Sequence, residues 1–240
     1  MSGHSHAKTV ARTKQANAEK KGAAFSKLAR IIALTAKDGP DPASNSKLRA
    51  AIDTAKKFNM PKDNIERAIK KGSGPGEGVQ LEEVLYEALG PNNIALIIEG
   101  IAENKNRSYG EIKQILQKYN YKIANEGSVK WQFEQKGVIL IKSEKNEGLE
   151  LKAIEAGAED FKWFSEENET YLEINTKAED LDKVKKNMES QGLEIDSAIL
   201  GWVAKDEIEA MTGDKEKLDK LCEDLDDSET SQNVYSNTKN

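Results

Sequence analysis

Residues Gly137–Leu200 read GVILIKSEKNEGLELKAIEAGAEDFKWFSEENETYLEINTKAEDLDKVKKNMESQGLEIDSAIL. Val138–Ile141 is an apolar run of strand length, and Leu149–Ala156 follows as a short helix. Phe161–Phe164 and Tyr171–Ile174 are two further strands. Leu181–Met188 is the centre of a second helix, and Leu193–Leu200 contains a last strand. The succession βαββαβ predicts a ferredoxin-like unit.

Upstream of this unit, Glu83–Leu89 and Ile94–Gly100 read as strands joined by a turn at Gly90-Pro91-Asn92-Asn93. A capping box, Ser108-x-x-Glu111, is expected to open a helix whose apolar stripe is Ile112, Ile115, Leu116 and Tyr119. Val129, Trp131 and Phe133 alternate as a strand should. Downstream, Asp214–Leu225 is a helix with Leu218, Leu221, Cys222 and Leu225 inward, and Asn233–Tyr235 a short strand. Neither buries enough surface to fold alone. Both are therefore expected to return to the sheet of residues 80–134, which makes the βαββαβ unit an insertion.

The N-terminal third reads as helices. Phe25, Leu28, Ile32 and Ala36 keep helical spacing from Ala23 to Lys37, and Gly39-Pro40-Asp41-Pro42 breaks that helix. Asn45 or Ser46 can cap the next, whose stripe is Leu48, Ala51, Ile52, Ala55 and Phe58. A third helix starts near Pro61 with Ile65, Ala68 and Ile69 on its apolar side. Gly72 is expected to supply its left-handed exit. Gly72–Gly78, GSGPGEG, lacks the spacing of a phosphate loop and follows a helix rather than a strand, so it reads as a linker. The expected fold class is therefore α+β: a basic helical bundle (1–76), a discontinuous α/β domain (77–135 plus 201–240) and a ferredoxin-like α/β domain (136–200).

Charge separates these parts. The 240 residues carry a net charge of −6, but residues 1–76 hold 16 Lys+Arg against 6 Asp+Glu, and residues 77–240 hold 20 against 36. A +10 segment on a −16 body suggests an anion-binding N-terminal unit; solvated charge that aids solubility is the plainer alternative. Lys and Arg neutralise phosphates and release counterions, which gives affinity without sequence preference. The candidate nucleic-acid-binding residues are His4, Lys8, Arg12, Lys14, Lys20, Lys21, Lys27, Arg30, Lys47, Arg49, Lys56, Arg67 and Lys70. Lys20, Lys27, Arg30 and Lys37 share one helix face if the first helix extends back through Gly22. Lys70 and Lys71 equally suit the negative end of a helix dipole.

Other chemistries find little support. The longest apolar run, Ile94–Ile98, is far too short for a membrane span, and Met1–Val10 has no signal-peptide core. Those features and a single cysteine, Cys222, point to the cytoplasm. His4 and His6 have no partners at structural-zinc spacing, and Cys222 lies on an apolar stripe with no histidine nearby in sequence. The acidic run Glu223, Asp224, Asp226, Asp227 and Glu229 reads as a solvated face. There is no nucleophile elbow and no zinc-protease helix. No catalytic residue, metal or cofactor is expected, and the chain is read as non-enzymatic.

Several stretches, in order, resemble the YebC/PmpR family, whose mitochondrial relatives include the translational activator of cytochrome c oxidase subunit I. GHSHAKTVARTKQANAEKKGAAFSKLARII is similar to the family's opening and its basic helix. PDPASNSKLRAAIDTAKKFNMPKDNIERAIKKGSG (Pro40–Gly74) carries the most distinctive match. YEALGPNNIALIIEGIAENKNRS (Tyr86–Ser108), EGSVKWQFEQKGVI (Glu126–Ile139) and QNVYSN (Gln232–Asn237) follow. Departures fall at His6-Ala7, at Val10–Lys14 and over Trp202–Gly213. The resemblance implies a helical bundle followed by two α/β domains and a cytoplasmic or mitochondrial setting. It also implies one of two roles: a DNA-binding transcriptional regulator, or a ribosome-associated factor that binds ribosomal RNA and eases stalled synthesis such as proline runs. Duplex DNA, ribosomal RNA and the ribosome are the expected partners. A small-molecule sensor or enzyme built on the ferredoxin-like unit rests on fold analogy alone.

Overall fold

A computed structural model describes residues 18–74, 81–166 and 169–239, except for the side chains of 18–21 and 166. The helical part comprises α1 (Ala18–Ala36), α2 (Ser46–Lys57) and α3 (Lys62–Ser73). Leu28, Ile32 and Ala36 of α1 meet Leu48, Ala51, Ile52 and Ala55 of α2 and Ile65 and Ala68 of α3 in one buried cluster. The first helix does run through Gly22, where an added methyl group would meet nothing. Asn45 caps α2. Its Oδ1 accepts from the Leu48 N–H at 3.0 Å, and its Nδ2 donates to the carbonyls of Thr35 at 2.8 Å and Gly39 at 2.9 Å. One buried amide thus ties the end of α1 to the start of α2.

Gly72 departs from its expected role. It lies inside α3, and Gly74 is the C-cap with φ −66°. A Cβ on Gly72 would stand 1.9 Å from the Ala33 carbonyl oxygen, so this glycine lets α3 cross against the α1 backbone. Of the expected linker, residues 75–78 lie outside the described residues.

Two four-stranded antiparallel sheets follow. The first contains β1 (Glu82–Leu89), β2 (Ala95–Ala102), β3 (Lys122–Ile123) and β8 (Ser231–Ser236) in the order β3-β1-β2-β8. Helices α4 (Lys105–Lys118) and α7 (Thr212–Asp227) cover one face, where Leu96, Ile98, Ile112, Leu116, Leu221 and Leu225 are buried. The tail therefore returns to this sheet: β8 pairs antiparallel with β2, placing Tyr235 opposite Ile97. Cys222 is buried within the same cluster.

The second sheet contains β4 (Phe133–Lys142), β5 (Asp160–Glu166), β6 (Glu169–Lys177) and β7 (Ser197–Ala204) in the order β5-β6-β4-β7. Helices α5 (Glu147–Ala156) and α6 (Leu181–Ser190) bury Leu149, Ala153, Val184 and Met188 against Ile139, Ile141, Leu172 and Ile174. The elements succeed one another as βαββαβ. Both β4 and β7 overrun the expected edges at 136 and 200. Their ends, Phe133 and the Trp202–Ala204 stretch, pack with Ala95, Ile97, Val129 and Tyr235 on the second face of the first sheet.

Two local expectations are corrected. Helix α4 starts at Lys105 behind the N-cap Asn104, whose side chain accepts from the Asn106 and Arg107 N–H groups. Ser108 sits inside the helix, within 2.6 Å of the Tyr86 hydroxyl, and Glu111 instead accepts from Ser228 and Thr230. An asparagine one turn earlier thus outcompetes the Ser/Glu pair. Val129–Phe133 is not one strand, because Lys130–Gln132 forms a 3-10 turn before β4 begins. The alternation arose from a turn that buries Val129 and Phe133 and leaves Trp131 67% exposed.

Candidate nucleic-acid interface

The expected basic residues separate into three groups. His4, Lys8, Arg12 and Lys14 lie outside the described residues, as do the side chains of Lys20 and Lys21.

Lys27 and Arg30 form the second group, and they face inward. The Lys27 ammonium lies 3.7 Å from Asp226, with 12% of its side chain exposed. Burial pushes it below the ordinary lysine value, against the opposing pull of Asp226 and Asp227. Arg30 donates to Glu229 at 2.7 Å and to the Ile101 carbonyl at 3.2 Å. Lys37, in the turn just past α1, donates to the Leu81 carbonyl at 2.6 Å. The acidic run is therefore not a simple solvated face. Asp226 and Glu229 seat α1, while Asp224 accepts from the Tyr119 hydroxyl at 3.0 Å and Lys118 at 3.2 Å. Single-chain periodicity cannot show this, since the partners lie between 105 and 199 residues apart in sequence.

The third group faces solvent. Lys47, Arg49, Lys56, Arg67 and Lys70 are all exposed. Among the described residues, their one carboxylate contact is Lys56 to Asp53 at 3.9 Å, an exposed pair of little strength. Arg49 and Lys56, seven residues apart, share a face of α2, and Lys47 lies on the other flank of the buried stripe. Arg67 and Lys70 are neighbours on α3 at i, i+3. Arg67 also donates to the Asn64 side chain and, at 3.3 Å, to the Asp63 carbonyl, which orients its guanidinium on the helix surface.

A groove of about 530 Å³ runs between α1, α3 and the first sheet, floored by Phe25, Ala29, Ala33 and Ala68. Its rim brings Arg30, Arg67 and Lys71 beside Glu103 and Glu229. Lys71 lies 3.0 Å from Glu103 and holds that carboxyl below the usual range, while Arg30 pairs with Glu229. The rim is thus largely self-neutralised, which favours the outer faces of α2 and α3 over the groove as a phosphate surface.

Sequence reasoning missed a second set of polar residues. Glu87 on β1 is only 2% exposed, and its carboxylate accepts from the N–H groups of Gly127 at 2.6 Å, Val129 at 2.5 Å and Lys130 at 2.8 Å. Burial pushes its pKa up, but the three backbone donors outweigh burial and hold it below the usual range. Glu99 on β2 accepts from Trp202 at 2.8 Å, Asn233 at 3.2 Å and Tyr235 at 3.1 Å, joining β2, β7 and β8. A glutamate at a buried strand position was the available signal for Glu87; its distant backbone partners were not legible. Among the described residues no cluster of His, Cys, Asp or Glu suits a metal ion. No helix among them is long and apolar enough to cross a membrane.

Comparison with known proteins agrees with this architecture. A curated relative from Persephonella marina, named a probable transcriptional regulatory protein, is 42% identical over 243 residues, covering 99% of this chain and 95% of its own. A protein of the same description from Thermoanaerobacter pseudethanolicus is 40% identical, covering 100% and 97%. The crystal structure of a conserved hypothetical protein from Aquifex aeolicus matches with a TM-score of 0.85 at 36% identity, over 95% of this chain and 93% of that one. Residues 5–75 match the TACO1/YebC protein N-terminal domain and residues 81–238 the TACO1/YebC second and third domain, and on these matches the chain belongs to the TACO1/YebC family.

Proposed function

We propose that this chain is a non-enzymatic, nucleic-acid-binding regulator of gene expression, and in the first place a DNA-binding regulator of transcription in the cytoplasm. Lys47, Arg49, Lys56, Arg67 and Lys70 contact phosphates from α2 and α3, joined by His4, Lys8, Arg12 and Lys14 from the N-terminal segment and by Lys20 and Lys21 from the first turn of α1. The observation that carries the reading is the division of labour among the basic residues. Lys27 and Arg30 of α1 are engaged by the acidic tail, whereas Lys47, Arg49, Lys56, Arg67 and Lys70 of α2 and α3 stand in solvent, their one carboxylate contact among the described residues being Lys56 to Asp53. Relatives at 40–42% identity that bear the name of transcriptional regulators support the same reading. The proposal carries a division of the chain at about residue 76, with 136–200 as a ferredoxin-like insertion between 77–135 and 201–240.

Gel-shift titration tests it. A specific promoter fragment is expected to outcompete random duplex at physiological salt, and equal competition would count against sequence-directed binding. Replacing Arg49, Lys56, Arg67 and Lys70 together by Glu is expected to weaken binding by about a hundredfold or more. It should also flatten the dependence of log affinity on log salt by about 0.9 for each phosphate that is no longer neutralised. Crosslinking in cells with sequencing of the bound nucleic acid separates promoter DNA from ribosomal RNA, and recovery of ribosomal RNA alone would move the target to the ribosome.

A further inference from the structure

Trp131 stands out among the aromatic side chains of the described residues. It is 67% exposed, whereas most large apolar side chains are buried or half-buried. An indole left in water forgoes burial that ordinarily stabilises a fold, so its exposure needs a reason. Nor does the ring sit on a loose loop. Its Nε1 donates to the Ser128 carbonyl at 2.9 Å, and the surrounding loop hangs on the buried Glu87 carboxylate through three backbone N–H groups. Gly127, at φ +82°, makes the turn that aims those donors. The fold thus places a carboxylate in its interior to hold a turn that carries an exposed tryptophan.

Two lysines lie on or next to the same turn. Lys205 donates from its Nζ to the Trp131 carbonyl itself, at 2.9 Å. Lys130 is exposed, its ammonium 5.1 Å from the centre of the Trp202 ring, and Trp202 is in turn bonded to Glu99. An exposed, oriented aromatic ring with one lysine on its own carbonyl and another adjacent in the chain, on a part of the chain that is otherwise strongly acidic, has the chemistry of single-strand binding sites. There a base lies on the ring and its phosphates meet the cations. Because the ring is already oriented, little side-chain freedom is lost on binding.

We propose that Trp131 is a base-stacking platform for one unpaired nucleotide, with Lys130 and Lys205 beside its phosphates. The proposal rests on the nucleic-acid reading above and adds to it a contact that duplex DNA, whose bases are already stacked, does not fill.

The test uses the full chain with fluorescein-labelled oligothymidylate, oligouridylate and a random duplex. Affinity is read by anisotropy, and stacking on the ring by quenching of intrinsic tryptophan emission. The single strands are expected to quench the wild type, and Trp131→Ala to bind them about tenfold more weakly with the quench abolished. Trp131→Tyr should keep affinity within about twofold, since it retains a stacking face. The salt dependence should be unchanged in Trp131→Ala but reduced in the Lys130→Gln, Lys205→Gln double variant, because stacking releases no counterions. A thermal melt equal to wild type confirms that the alanine variant is folded. Equal affinity of wild type and Trp131→Ala for single strands overturns the stacking site alone. Equal quenching by duplex, or a protein partner released by Trp131→Ala while oligonucleotide affinity is kept, overturns it as well. Failure of the wild type to bind any of the three probes sinks the regulatory reading beneath it.

Discussion

Lys27 and Arg30 on α1, and Arg49, Lys56, Arg67 and Lys70 on α2 and α3, belong to one basic segment and look alike in sequence. The fold gives them opposite tasks. The α1 pair lies against Asp226 and Glu229 of the tail, and Arg30 also reaches the Ile101 carbonyl. The α2 and α3 residues project into solvent. A net charge of +10 therefore overstates the surface available to a polyanion, because part of it neutralises the chain's own acidic end. Basic clustering measures a potential for anion binding, and only the packing shows which anion is met.

The packing that sets this division gives the most severe test. The α1 backbone at Ala33 and Gly72 of α3 approach so closely that a Cβ on Gly72 would lie 1.9 Å from a carbonyl oxygen. The obstacle is backbone, which cannot swing aside as a side chain can. Gly72→Ala is expected to cost about 3 kcal/mol in chemical denaturation, through forced separation of the two helices. It should also weaken nucleic-acid binding by displacing Arg67 and Lys70. Gly22→Ala, on an open face of the same α1, is the control and should stabilise by about 0.5–1 kcal/mol. A neutral Gly72→Ala would mean that α1 and α3 do not hold the close crossing on which the contrast depends.

Glu87 offers a middle-sized test of the same contrast between an enclosed charge and an exposed one. Burial raises its pKa, the three N–H donors lower it, and the net shift is downward. A carboxylate with a depressed folded pKa contributes stability that is present above its unfolded value, about 4.3, and is lost as pH falls through the folded one. Glu87→Gln should cost about 2 kcal/mol at neutral pH, since an amide NH₂ then faces backbone donors. Its stability should also fall less steeply than that of the wild type on acidification from about pH 5. Denaturant melts across that range check both; parallel acid profiles would show that Glu87 is not the group that titrates.

Much of this architecture was legible from local pattern and from how much surface each segment can bury by itself. The βαββαβ succession followed from short apolar runs between helical stretches, and the return of α7 and β8 to the first sheet followed from their inability to bury enough surface alone. The stripes Leu48-Ala51-Ile52-Ala55 and Leu218-Leu221-Cys222-Leu225 are both buried. What failed was equally physical. Asn104 and Ser108 are both competent caps four residues apart, and local chemistry does not choose between them. Val129, Trp131 and Phe133 alternate in a 3-10 turn as they would in a strand. The engagement of Lys27 and Arg30, and the pinning of the Trp131 turn by Glu87, depend on pairs far apart in sequence. No periodicity reports such pairs, and for that reason every basic residue of the first segment looks equivalent in the sequence.

A finer test separates the two members of the inward pair. Lys27 is largely enclosed, and its pKa is depressed by burial, with Asp226 and Asp227 opposing. The unfolded chain therefore binds the Lys27 proton more tightly than the folded one. The ammonium weighs against folding below its folded pKa, and stability rises as pH climbs through that value. Lys27→Met keeps the aliphatic stem and removes the charge. It should change stability by less than about 1 kcal/mol, in either direction, because relief from desolvation offsets the missing attraction to Asp226. Arg30→Met loses the hydrogen bond to the Ile101 carbonyl as well as the Glu229 pairing. It should cost about 1 kcal/mol, most of it from the carbonyl left without its donor, since Glu229 is 70% exposed and its pair is weak. Neither variant should alter the salt dependence of nucleic-acid binding. A reduced slope in Lys27→Met or Arg30→Met would mean that the tail gives up α1 to the polyanion, and that the inward and outward basic faces act together once nucleic acid is bound.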